Sequence, residues 1–501
     1  MMTINDAWGL ASDRRFHNLN MPILQDAKNF GAKAQKAYRL AELTTLTTQL
    51  PSRSLSFPAF LRGESCDLHE LTLAEKLAGV LRYLAAPLRY EPLNLPEVHY
   101  PVSSFGGLFS CGVKLLRRTE GGELQCFHYH PSYHALERET VAPDVSSPLQ
   151  PGECLIALVG QFWAVAGKYG DFSPFGVSLD GGIVSTQLSY LLDVFGVNYE
   201  NRADWIADVK PLVVARHHPN VHEYEHPLAV LSLAENRFSE SDWDFLASSD
   251  TRRIACWRET PGLDQQYGLL PSLLALFAAD LYQVEAKQQA VDEVVCQSPD
   301  LPDSLPEKDV FDVIRDRTAS NDVTGFSQRS PIVSSQFLSD FLTVLTTLRQ
   351  RRGAAPAEEQ LIISIAWINQ HGLLPGLYDG NGQAIWQAKQ PEAFFAILQD
   401  CLFNDGQNYN LASMTMELFV SVDTGQFIQQ YGDASIHKAH HAAGCLGHDV
   451  CLTASLFGGF ARPVRMFRDT RLQQQLGLPG QLLMQVLVGF NRHNNFAMAL
   501  L

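Results

Sequence analysis

Long apolar runs are missing from this 501-residue chain: nowhere do about 18 such residues follow one another, the length a membrane-spanning helix needs. At the N-terminus, Met1-Met2-Thr3-Ile4-Asn5-Asp6-Ala7-Trp8-Gly9-Leu10, no charged segment leads into an apolar one, so no signal peptide is expected there. Positive charge is also scarce. Lys and Arg number 38 against 54 Asp and Glu, a formal net charge of -16, and no basic run or aromatic-basic stripe stands out. Nucleic acid and anionic membrane both attract basic surfaces, so neither is an expected partner. Nine cysteines include no CxxC pair and leave one unpaired under any disulfide scheme; a cytoplasmic, reducing location is the simpler expectation.

What the chain has is apolar content, 46% against 18% charged residues, enough to bury sizeable cores. Its length exceeds one compact core and suggests two to four domains. A repeat sharpens that expectation. Shifted by 262 residues, Tyr169, Gly170, Asp171, Ser173 and Gly182 fall on Tyr431, Gly432, Asp433, Ser435 and Gly444, and Phe195-Gly196 falls on Phe457-Gly458. Further echoes keep the same order. Arg53-Ser54-Leu55-Ser56 returns as Arg317-Thr318-Ala319-Ser320, and the closing apolar strands Leu228–Leu233 and Leu482–Val488 are followed by Asn236-Arg237 and Asn491-Arg492. The expected organisation is therefore an N-terminal helical arm over 1–45, a first unit over 46–237, a helical connector over 238–307 and a second unit over 308–501, the two units forming a pseudo-dimer within one chain.

Coarse patterning places the motifs. Helices are expected at Ala32–Leu43, Leu71–Leu84, Ile183–Val194 and Leu269–Val284, and strands at Cys111–Leu116, Leu124–Tyr129 and within Leu411–Val422. Leu155–Ala166 reads as a buried strand that ends on Lys168-Tyr169-Gly170. The Pro, Ser and Gly content of residues 99–107 marks a loop; in the second unit its nearest counterpart by composition is Ile368–Asp379.

Several residues could carry chemistry. Arg53 and Ser54 offer a guanidinium fork and a hydroxyl to a phosphate, and Arg317, Thr318, Arg237 and Arg492 repeat that offer. In the loop, Ser103, Ser104, Gly106 and Gly107 would let backbone approach a flat ring or a phosphate; an ordinary turn is the alternative. Lys168 and Tyr169 are the candidate catalytic pair, a base with a phenol as partner or proton relay, against the reading of a turn with a solvated amine. Gln430 stands at the position of Lys168 and cannot serve as that base. His222-Glu223-Tyr224-Glu225-His226 satisfies HExxH, but zinc chemistry needs it on a helix, and Pro219, Pro227 and the strand that follows argue against one. His437, His440, His441, Cys445, His448 and Cys451 are expected to be buried or pocket-lining, so no metal site is expected.

With these parts in place, the first unit resembles the streptolysin- and microcin-type azoline dehydrogenases of the nitroreductase superfamily. That pattern runs from an R-S phosphate motif (Arg53-Ser54) to a P-S-x-G-G-like loop (Pro101–Gly107), then Y-x-Y-x-P-x-x-H-x-L (Phe127–Leu136), then K-Y-G (Lys168-Tyr169-Gly170). It covers roughly residues 45–237 and, more weakly, 308–492. Ser52 and Ser56 stand where the family carries further arginines, and Val102 is inserted in the loop. The second unit keeps the tyrosine but not the lysine or the glycine loop.

The resemblance implies an α+β fold, a mixed, mostly antiparallel sheet flanked by helices in each unit, with flavin mononucleotide (FMN) at the interface of two units. It implies that the second unit replaces the partner of an ordinary homodimer. The reaction implied is oxidation of a thiazoline or oxazoline in a peptide or carrier-bound intermediate, with a cyclodehydratase as partner enzyme. Two other readings stay open: a flavin-free scaffold holding a precursor peptide, told apart by its absorbance spectrum, and a general NAD(P)H-dependent nitro or flavin reductase, which would not need Lys168.

Overall fold

A computed structural model of the chain describes residues 2–12, 41–47, 55–213 (without 67, 69, 93, 95, 96, 140 and 142–145), 225–233, 241, 243, 251–254, 269, 272–276, 301–319, 328–402, 410–492 (without 466) and 497–500. The expected helix at Leu269–Val284 lies largely outside them, as do Arg53, Ser54, Arg237 and the first three residues of the HExxH stretch.

Two antiparallel sheets share one internal strand order. In the first, β1 (Ala41–Thr45), β2 (Cys111–Arg118), β3 (Leu124–His130), β4 (Ala135–Glu139), β5 (Cys154–Gln161), β6 (Glu225–Ser232) and β7 (Thr251–Ile254) run β7-β1-β4-β3-β2-β5-β6, with Glu200–Asn201 at the far edge. In the second, β8 (Ile362–Trp367), β9 (Gly376–Asp379), β10 (Ala384–Gln387), β11 (Met416–Val422) and β12 (Gln481–Asn491) run β12-β11-β8-β9-β10. Thus β4-β3-β2-β5-β6 matches β10-β9-β8-β11-β12 strand for strand. Every described pairing is antiparallel. β5 sits near the middle of its sheet and is buried along its whole length, as a strand covered on both faces must be.

Helices fill the space between the sheets. They are α1 (Ile4–Leu10), α2 (Leu73–Ala85), α3 (Phe162–Tyr169), α4 (Ser173–Val194), α5 (Val310–Asp316), α6 (Phe337–Arg351), α7 (Thr424–Tyr431) and α8 (Ser435–Leu456). Their starts follow local chemistry: α2 opens on a capping box in which Thr72 and Glu75 satisfy each other's backbone donors. Adding 262 to the bounds of α4 gives those of α8, and both are 22 residues long.

These two helices cross at glycines. A Cβ on Gly182 would collide with the carbonyl oxygen of His441, and a Cβ on Gly444 with that of Leu179. Leu179 and His441 are themselves 262-residue equivalents, so the contact is isologous, the signature of a two-fold axis. The turn before each helix repeats as well: Gly170 has φ 50 and ψ -127, Gly432 φ 55 and ψ -132, backbone that only glycine adopts without strain. At the entry to the units, Ser56 pairs with Asp309 in an isolated antiparallel bridge, and each caps the helix it precedes. One apolar cluster joins Phe162, Phe172, Phe175 and Leu179 to Ile436, Ala439, Ala443 and Leu446, so the repeats share a core.

The termini cross between repeats. Trp8 of α1 donates its indole N–H to Ser435 Oγ at 3.0 Å, and Gln481 donates to the Trp8 carbonyl. At the other end Met498–Ala499 adds to a small sheet with Arg89–Tyr90 and Val98–His99 of the first unit.

Three expectations are corrected. Ala41–Leu43 belongs to a strand rather than a helix end, because Ala41–Thr45 finds partners on both sides in β4 and β7. The stretch expected as a helical connector supplies β7 to the first sheet. The run ending on Lys168 splits into β5 and α3 with no loop between them, so the Lys-Tyr pair ends a helix, not a strand.

Candidate functional site

One cleft gathers motifs that lie far apart in the chain. It encloses about 110 Å3 and opens to solvent at its mouth. The loop contributes Ser103, Ser104 and Ser110, the end of β3 His128 and His130, and α4 Asp180. Gln161 and Ala164 form another wall, and Tyr100 and Phe109 meet there with ring centroids 4.1 Å apart.

The loop is held from inside by Asp180. Ser104 and Ser110 donate their hydroxyls to its carboxylate at 2.8 and 2.7 Å, and the Phe105 N–H donates at 2.7 Å. Ser104 Oγ in turn accepts from the Phe109 N–H. Burial pushes the Asp180 carboxyl above its usual range, and these donors pull it back. So fixed, the loop carries Gly106 and Gly107 at φ 62 and 68. A Cβ on Gly106 would lie 2.6 Å from the Tyr169 hydroxyl, whereas one on Gly107 would meet nothing within 4 Å. Phe105 packs on the Tyr169 ring at 4.3 Å. Phe109, a non-glycine at φ 49, marks strain beside the cleft.

Lys168 is half-buried at the end of α3, its Nζ 5.3 Å from the centroid of the Tyr169 ring. It lies four residues beyond Ala164, hence on the same helical face as that cleft-lining residue. Tyr169 thus meets the loop at Phe105 and Gly106 with Lys168 beside it; Ser103 and Ser104 line the cleft, whereas Lys168, Tyr169, Gly106 and Gly107 flank it without lining it. Arg317 stands behind the loop, its guanidinium donating to the carbonyls of Tyr100 and Pro101 and to Ser103 Oγ. Thr318 is half-buried, its carbonyl accepting from the Ala461 N–H. Arg492 is exposed just past β12 and makes no hydrogen bond to the loop among the described residues.

The remaining motif explains its own spacing. Tyr129 OH and His134 Nδ1 meet at 2.8 Å, and His134 Nε2 lies 3.0 Å from the Thr47 carbonyl. Nε2–H must then donate to that carbonyl while Nδ1 accepts from the phenol. Burial lowers His134 to about 4, which keeps the ring neutral for this role. The α8 histidines are seam residues: His437 meets Ser178, His441 meets Ser185 and His448 meets Gln187 across the helix pair. Among the described residues no group of side chains could hold a metal ion. Glu225 and His226 already lie in β6, not on a helix, which removes the geometry HExxH needs.

The sequence reading missed Asp180, Gln161, His128 and His130. Asp180 carried a usable signal: its counterpart at the 262-residue offset is Ala442, a loss of an ionisable side chain parallel to Lys168 against Gln430. The second unit's counterpart of the loop was also misplaced. Ile368–Asp379 covers the connection from β8 to β9 and β9 itself, whereas topology equates the loop before β2 with Arg352–Leu361 before β8. There Gln360 Nε2 donates to Gln430 Oε1 at 2.7 Å and to the Tyr431 hydroxyl at 3.2 Å, tying the loop to the helix end.

No family model and no curated protein matches the chain by sequence. In shape it is similar to a protein from Anabaena variabilis assigned as a nitroreductase, at 15% identity and a TM-score of 0.64, over 98% of this chain and 100% of that one. Shorter alignments are to a Ralstonia eutropha protein assigned likewise (11% identity, TM-score 0.27, 40% of this chain, 95% of that one) and to the E. coli microcin synthetase McbBCD complex with truncated pro-MccB17 bound (16%, 0.26, 46% and 90%). The full-length likeness shows the fold: the chain is built on the nitroreductase fold. No described helix is long and apolar enough to cross a membrane.

Proposed function

We propose that the chain is an FMN-dependent dehydrogenase that oxidises a thiazoline or oxazoline ring to the aromatic thiazole or oxazole. The substrate would be a modified peptide or a carrier-bound intermediate. One observation carries this reading: the helix end bearing Lys168 packs, through Tyr169, on the glycine loop of the cleft. Two of the motifs that the azoline-dehydrogenase resemblance names separately, the glycine loop and Lys168-Tyr169-Gly170, lie side by side, which supports the reading.

The residues fit a flavin. Gly107, at positive φ with open space where a side chain would be, leaves backbone accessible at the loop, and Ser103, Ser104, Gln161 and the two cleft histidines supply polar contacts. When bound, the flavin would supply a two-electron acceptor. Lys168 is the base for a ring C–H proton, and the Tyr169 hydroxyl, at the loop, is its partner or relay. Asp180 keeps the loop in register with both. Ser103, Ser104, Gly106 and Gly107 would face the flavin, and Thr318 would be a contribution from the second unit.

Purified protein should bind FMN in stoichiometric amount and convert a thiazoline-containing peptide, made with a cyclodehydratase from its precursor, to the product two mass units lighter. A flavin-free spectrum after incubation with FMN, or bound flavin with no oxidation of any azoline peptide, would sink the assignment.

A further inference from the structure

Arg317 follows α5 in the second repeat, yet the residue is 5% exposed and its guanidinium is spent on the first. Nε donates to the Pro101 carbonyl at 2.8 Å, Nη1 to Ser103 Oγ at 3.1 Å, and Nη2 to the carbonyls of Tyr100 at 2.9 Å and Val102 at 3.4 Å. Four of its five N–H groups are thereby committed to one four-residue segment. No carboxylate acts on it among the described residues; its electrostatic neighbours are Cys451 and Arg89, and Arg89 is engaged by Glu91. A buried cation without an acidic partner is costly, and backbone carbonyls converging on it are what offset that cost. With its fork so occupied, Arg317 has no pair of donors left for a phosphate.

We propose that Arg317 is a positioning residue through which the second repeat sets the cleft of the first. It holds the Tyr100–Ser103 end of the loop, as Asp180 holds the Ser104–Ser110 end from within. Tyr100, Val102 and Ser103 line the cleft, so the loop is clamped at two points with the glycines between them. The second repeat then contributes geometry rather than a ligand to the site. For its bearing on flavin this inference rests on the function proposed above; for the loop itself it does not.

The test uses the full chain with Arg317→Met, Arg317→Lys and Ser103→Ala. Amide exchange is followed without added flavin, and the dissociation constants of FMN and of riboflavin, which lacks the phosphate, are measured side by side. In Arg317→Met, exchange over residues 100–110 should rise at least about tenfold while that of α4 stays unchanged. Both flavins should weaken by the same factor within about twofold, and Arg317→Lys, which restores fewer bonds, should lie between. Unchanged exchange over 100–110 would overturn the proposal. So would weakened FMN binding with riboflavin affinity intact, the mark of a direct phosphate ligand. If wild-type protein binds neither flavin, the function proposed above fails while the exchange result still decides the clamp. Should Arg317→Met not fold, Ser103→Ala reads the same segment, with a smaller rise expected and no rise overturning the idea.

Discussion

The two repeats share strand order, helix length and the glycine turn, and differ where a site would form. In the first, Tyr169, with Lys168 beside it, meets a loop that Asp180 pins on either side of two glycines. In the second, the equivalent positions are Gln430, Tyr431 and Ala442, and the loop is tied shut by Gln360 on Gln430 and Tyr431. The charge that anchors the second loop lies elsewhere: Arg352 pairs with Glu358, and with Asp449 at 2.9 Å, while Tyr190 donates to Asp449 at 2.7 Å. One copy thus places its buried acid under a cleft and the other places it in the seam between repeats. A duplicated domain can keep its fold while moving its polar interior from the site to the interface, since the core they share tolerates either so long as each buried charge is partnered.

The largest expected effect would break this asymmetry directly. Lys168→Ala should lower azoline turnover by about 10²–10⁴-fold, the range for loss of a general base, with flavin content unchanged, while Gln430→Ala stays within about twofold. Equal losses from the two variants would mean that the copies are not divided as described. Stability should show the opposite symmetry. Gly182→Val and Gly444→Val each drive a side chain into the partner helix's backbone and should destabilise by about 3 kcal/mol or more, to similar extents, in thermal unfolding. If one glycine tolerates valine, the crossing of α4 and α8 is not two-fold.

That symmetry was legible in the sequence, because the 262-residue offset holds without a gap through α4 and α8, whose packing on each other forbids insertions. Strands β2, β3, β5, β6, β11 and β12 were legible as apolar runs. The switch from β5 to α3 was not: only Gly160-Gln161 interrupts the apolar residues from Cys154 to Ala166, and periodicity cannot divide a segment buried on nearly every side. β1 and β7 are made by pairing with each other and, for β1, with β4, which is tertiary information. At the site, Lys168 and the glycine loop announced themselves by residue type. Asp180 did not by residue type, since a lone aspartate inside a helix is ordinary; only its replacement by Ala442 in the second copy marked it. Arg317 was read as a phosphate ligand for its chemistry, and its commitment to Tyr100–Ser103 became visible only once two segments more than two hundred residues apart were placed side by side.

A smaller effect concerns Glu417, which stands where the first copy has Leu155. It is buried in the second sheet with Gln485 donating to it at 2.6 Å, and burial pushes its carboxyl up from 4.5 to about 8. A raised carboxyl pKa means that the neutral form is favoured in the fold. Its contribution is present in full below pH 4.5 and is lost as pH rises toward 8, by up to a few kcal/mol. Glu417→Gln should therefore gain stability over wild type between pH 7 and 9 and not at pH 4, as read from denaturant midpoints. A gain that is the same at both pH values would show that Glu417 is not neutral in the fold.

The smallest expected effect is the most informative about divergence. Gln430→Lys restores the first copy's pair, Lys-Tyr, on an identical turn. It should nonetheless add less than about twofold to azoline turnover, because the base is one part of a site and the others are absent: position 442 is alanine, so no acid stands where Asp180 does in the first copy, and Gln360 still reaches the Tyr431 hydroxyl. Moreover, Lys438 Nζ already lies 4.8 Å from the centroid of the Tyr431 ring, much as Lys168 lies over Tyr169, so a cation over this tyrosine is not what the second copy lacks. A second equivalent of bound flavin together with doubled turnover in Gln430→Lys would mean that one substitution, rather than the rebuilt loop, separates the repeats. Unchanged turnover, with Gln360→Gly and Gln430→Lys combined also inactive, would place the difference in the loop itself, which Asp180 orders in the first copy and which Gln360 and the Arg352 ion pairs hold in the second.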